Sequence, residues 1–70
     1  MKGDIMTQKV LDRLSEKVLS TIQMWKDRYH DDRLNKDITR AEIRGYVRGL
    51  VDADILTANE FKIVFAYMTL

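Results

Sequence analysis

Leu11, Leu14, Val18, Ile22, Trp25 and Tyr29 recur at spacings of three and four residues, and no proline interrupts them. Side chains three and four apart share one face of an α-helix, so these six form a single apolar stripe. Asp12, Arg13, Glu16, Lys17, Gln23 and Asp27 fall away from it. The spacing predicts one amphipathic helix over residues 7–30, about 35 Å long at the helical rise of about 1.5 Å per residue. Whatever the rest of the chain forms has to cover that stripe. Glycine occurs only at 3, 45 and 49, so breakers are scarce and further helices are expected.

The pattern stops at "HDDRLNKDI", and its polar, turn-forming residues predict a loop over 31–38. "TRAE" follows, with Thr39 three positions before Glu42, the spacing of a capping box. It predicts a second helix over about 40–52, with Ile43, Tyr46, Val47 and Leu50 on one face. A second box, "TANE", sets Thr57 and Glu60 in the same relation and predicts a third helix over about 58–69. The expected fold is all-α: a small three-helix arrangement within one domain, residues 1–70, made of one long amphipathic helix and a helical hairpin packed along it.

"DADILTANEF" also has the wording of the end of a calcium loop. With Glu60 as the last ligand, the first, third and fifth positions fall on Gly49, Val51 and Ala53, which offer no carboxylate. The frame from Asp31 to Glu42 puts Arg33 and Lys36 at ligand and glycine positions. Thr57 and Glu60 are therefore read as a cap, and no metal or cofactor is expected. Residues 49–62 resemble SHOCT-type short helical hairpins through Leu50, Asp52, Ala53, Ile55, Thr57, Glu60 and Phe61, with Asp54 where that pattern has a turn glycine. The resemblance implies an assembly or interaction module and carries over no catalytic residue.

Twelve basic and eleven acidic side chains leave a formal charge of +1, which argues against a general polyanion binder. Cysteine is absent, which excludes disulfides and thiolate sites. His30 is the single histidine, Ser15 and Ser20 have no base near them in the pattern, and no glycine-rich phosphate loop occurs. A non-enzymatic role without a small-molecule substrate is expected. The sequence has no apolar leader segment and no membrane-length apolar run, so a cytoplasmic location is expected.

Three features offer surfaces for a partner. Arg40, Arg44 and Arg48 lie four apart and form a basic stripe, read either as a solvated edge or as a seat for an acidic partner or phosphates. Ala41, Gly45, Gly49 and Ala53 form a stripe of small residues, read either as a contact with the first helix or as room for a partner helix. Phe61, Ile63, Val64, Phe65, Tyr67, Met68 and Leu70 make the third helix apolar on every side, more than two neighbours in a small bundle can cover. The expected function is protein–protein interaction with self-association through that helix. The alternatives are a phage or mobile-element regulator docking on a larger protein, and a nucleic-acid accessory using the arginines. Helix three offers few donors for reading bases, which counts against the last.

Overall fold

The structure, a computed structural model, describes residues 2–70, with side chains from residue 5 onward. Its elements are α1 (Lys2–Asp12), α2 (Glu16–Tyr29), α3 (Lys36–Asp52) and α4 (Ala58–Thr69). The fold is all-α as expected, but with four helices among the described residues where three were expected. The expected first helix is two. A straight helix of about 35 Å would also exceed the molecule's longest extent of 31 Å.

The break lies at residues 13–15. Arg13 N–H donates to the Val10 carbonyl (3.2 Å) and Leu14 N–H to that of Leu11 (3.0 Å), a tightened last turn that closes α1. Ser15 is extended, at φ −67° and ψ 158°, and its hydroxyl accepts from Val18 N–H at 3.2 Å, which caps α2. Leu14 and Leu19 hold the positions of a hydrophobic staple around that cap. The stripe hid the break, because its spacing stays at three and four on both sides: Leu11, Leu14 and Val18.

α3 also starts earlier than expected. Its cap is Asn35, whose side chain accepts from Ile38 N–H at 3.0 Å. The box of Thr39 and Glu42 does not form. Thr39 lies inside the helix, buried, with its hydroxyl donating to the Asn35 carbonyl at 3.0 Å. The loop is accordingly shorter than 31–38, and it braces itself. Arg33 donates through its backbone N–H and its guanidinium to Asp31, at 2.8–3.0 Å. Those side-chain bonds first, then the backbone bond, hold the Asp31 carboxyl down at about 2.

The α3–α4 turn is a Schellman motif. Ile55 N–H donates to the Leu50 carbonyl (2.9 Å) and Asp54 N–H to that of Val51 (3.0 Å). Asp54 takes the left-handed conformation at φ 61°. The Thr57–Glu60 box forms as expected, with Thr57 N–H to the Glu60 carboxylate at 2.9 Å and Glu60 N–H to the Thr57 hydroxyl at 3.2 Å.

Trp25 meets Tyr46, with ring centroids 6.3 Å apart, and Tyr29 meets Arg40, so α2 and α3 are antiparallel. Arg13, just ahead of α2, pairs with Glu60 near the start of α4, and Lys26 lies over the Tyr67 ring at 5.1 Å; α2 and α4 therefore run in the same direction. α4 packs on α1, α2 and α3 alike. The core joins Val10, Leu11, Leu14, Ile22, Ile43, Val47, Val64 and Met68, among others. Of the six stripe residues Leu11, Leu14, Ile22 and Tyr29 are buried, while Val18 and Trp25 are half-buried against them.

Candidate partner-binding surface

α3 buries Thr39, Ile43, Val47 and Leu50, and this fixes what its other side presents. Gly45 and Gly49 lie opposite the buried line, exposed, and a Cβ placed on either would meet nothing within 4 Å. The small-residue stripe is thus not spent on a contact with another helix of the chain. Each interior glycine costs a helix about 1 kcal/mol relative to alanine, and the fold obtains no close approach in return.

The three arginines divide into two settings. Arg40 is tied to Tyr29: its guanidinium donates to the phenol oxygen at 2.7 Å and sits 5.7 Å from the ring centroid. Lys36 joins from the same helix, donating to the Tyr29 carbonyl at 2.6 Å with its ammonium 4.7 Å from the ring. Both cations cover the end of α2, where free carbonyls favour positive charge. Arg44 and Arg48 have no ion pair among the described residues. With Val51 and Asp52 they line a cleft of about 370 Å³ whose far side is Ala58 and Phe61 of α4. Phe61 is half-buried and stacks on Phe65, with centroids 5.9 Å apart and the planes 11° apart.

The apolar residues of α4 are mostly consumed inside the chain. Val64 and Met68 are fully buried, and Phe61, Ile63, Phe65 and Tyr67 pack half-buried against the core. Leu70 alone of the seven is exposed, at 86%. The cover comes from α1, which the break at residue 13 turns back onto α4. The remaining large exposed apolar side chains are Ile5 and Met6 on α1, Met24 on α2 and Ile38 on α3.

The groups with shifted ionisation have structural causes. The Glu60 carboxyl is held below the usual range first by the Thr57 backbone N–H and then by Arg13, which also donates to the Ile55 carbonyl at 3.3 Å. Burial pushes the Tyr46 hydroxyl up, partly offset by the nearby Thr21 side chain. His30 stands edge-on to Tyr29, with centroids 5.4 Å apart, and the neighbouring Asp31 carboxylate is engaged by Arg33. Among the described residues no group of three or more metal-ligating side chains comes together. No helix is long and apolar enough to cross a membrane among those residues.

The chain matches no protein-family model, no curated protein and no solved structure. The surface is therefore read from its own geometry. Sequence reasoning named Arg44, Arg48 and Phe61 on separate grounds; the structure brings them to one cleft. It missed Val51, Asp52 and Ala58 as lining residues. Asp52 falls four positions after Arg48 on the same helix face, a signal that was present, whereas the approach of Ala58 depends on the hairpin angle.

Proposed function

We propose that this chain is a small non-enzymatic protein–protein interaction module that receives its partner on the outer side of α3 and along its border with α4. The observation that carries the reading is the open glycine pair. Gly45 and Gly49 weaken α3 and serve no contact within the fold, so their use lies outside it, where the absence of side chains lets a partner backbone come close. The likeness of residues 49–62 to SHOCT-type hairpins points the same way.

Self-association through α4 is the narrower form of this reading. Its available surface is Leu70 with the half-exposed edges of Phe61, Ile63, Phe65 and Tyr67. A larger protein, of the sort a mobile-element regulator docks on, is the other form. The nucleic-acid alternative draws on the same arginines, but Arg40 is engaged by Tyr29 and Asp52 shares the wall beside Arg48. Two guanidiniums are few for a phosphate-binding surface.

Gly49→Leu tests the reading. With open space around Gly49, the free chain should gain about 1 kcal/mol from helix propensity, read as a higher melting temperature. The same variant should lose the crosslinked partner that the parent chain captures in its host, or its dimer mass in light scattering. Unchanged crosslinks and mass in a stabilised variant would mean that the face is simply exposed.

A further inference from the structure

We propose that the cleft between α3 and the first turn of α4 binds a partner polypeptide segment that carries a carboxylate next to an apolar side chain. This deepens the interaction-module reading and rests on it. The floor of the cleft is apolar: Val51, Ala58 and Phe61 line it, and the stack on Phe65 holds the Phe61 ring in place. Its rim is cationic. Arg44 and Arg48 stand four apart on one helix face, exposed and without ion pairs among the described residues. A guanidinium offers a planar fork of donors that matches a carboxylate in two parallel hydrogen bonds. An apolar floor beneath a pair of such forks matches a glutamate or aspartate beside a leucine or an aromatic residue.

Asp52 narrows the choice of ligand. Two arginines and one aspartate leave the lining with a net charge of +1. That balance suits a single carboxylate and neutralises too little charge for a run of phosphates, whose binding scales with the number neutralised. A nucleic-acid backbone would also leave Phe61 and Val51 without an apolar partner. The volume of about 370 Å³ lies at the small end of ligand sites, roughly 300–1,000 Å³, and is open on one side. It takes a pair of side chains from a longer segment better than it encloses a small molecule.

The test is an NMR titration of the full chain with three probes: a blocked peptide alternating glutamate and leucine, a polyglutamate peptide of the same length, and a DNA duplex. Saturable shifts at Arg44, Arg48, Val51, Ala58 and Phe61 are expected with the first. Its affinity should exceed that of polyglutamate by roughly tenfold, the worth of about two buried methylene groups. Arg44→Gln with Arg48→Gln should weaken it by roughly tenfold or more, the scale of charge-assisted bonds. Both side chains are exposed and unpaired, so the melting temperature should stay put. Equal binding of the two peptides, no saturable shifts at the cleft, or an unweakened variant would each overturn the proposal. Preferential DNA binding with a steep salt dependence would replace it with the nucleic-acid reading. Host crosslinks that survive the arginine variant but not Gly49→Leu would sink the cleft alone. Crosslinks indifferent to both would sink the interaction module as well.

Discussion

Asp54 is the residue that the backbone treats least kindly. At φ 61° it occupies the left-handed region, which costs a residue with a Cβ roughly 1–2 kcal/mol, less for aspartate and asparagine, and costs glycine nothing. Its carboxylate makes no hydrogen bond or ion pair among the described residues that would offset the strain. Asp54→Gly should therefore stabilise the chain by about 0.5–1 kcal/mol, read by denaturant melts; a less stable variant would show that the aspartate has a role the turn alone does not explain. A second pair of substitutions separates the true cap of α3 from its decoy. Asn35→Ala should cost about 1 kcal/mol, whereas Thr39→Val, which keeps the buried shape and loses one bond to a helix carbonyl, should cost less than about 0.5 kcal/mol. The reverse order would move the start of α3 to Thr39. The sequence reading took Thr39 as the cap on its Thr–x–x–Glu spacing and placed Asn35 among the turn-forming residues of the loop. What decided between them was burial: starting at Asn35 sends Thr39 inward with Ile43 and Val47, and that depends on where α2 and α4 lie.

Helix by helix, the stripe of α2, the face of α3 and the box opening α4 could be read directly, because each is local. The split between α1 and α2 could not. An apolar repeat of three and four survives a capped corner unchanged, and only "LSEK", a serine cap with leucine before it and glutamate after it, marked the place. The corner is fastened to the opposite turn by Arg13, which pairs with Glu60 and also reaches the Ile55 carbonyl. Glu60 therefore serves two joints with one carboxylate, the cap of α4 and the corner of α1. Its folded pKa lies below the unfolded value, so this stabilisation is present above the ordinary carboxylate range and is lost as pH falls through the folded value. In thermal melts the parent should hold its stability down to about pH 5 and lose it below about pH 4. Glu60→Gln should start lower and fall less steeply over the same window. Parallel profiles would show that Asp31 and other carboxylates carry the acid sensitivity.

For the molecule as a whole, the main departure from the sequence reading is the fate of α4. Its apolar surface exceeded what two helices could cover, and self-association was expected to cover the rest. The cover is α1, made available by the corner. Self-association now has less surface to use, and it remains directly measurable. A dimer through the half-exposed edges of α4 should melt at higher temperature as protein concentration rises, and Ile63→Glu should abolish that dependence. A concentration-independent melt would sink self-association and leave a different protein as the candidate for the outer surfaces.

The central position of α4 has a consequence for the order of assembly. It touches each of the other helices and follows all of them in the chain. A ribosome therefore releases three amphipathic helices before the piece that joins them, and α1 lacks its main packing partner until residues 58–69 emerge. At roughly 5–20 residues per second that interval is on the order of several seconds. During it the apolar faces of α1, α2 and α3 are open to chaperones, to each other, or to a partner already waiting for the nascent chain.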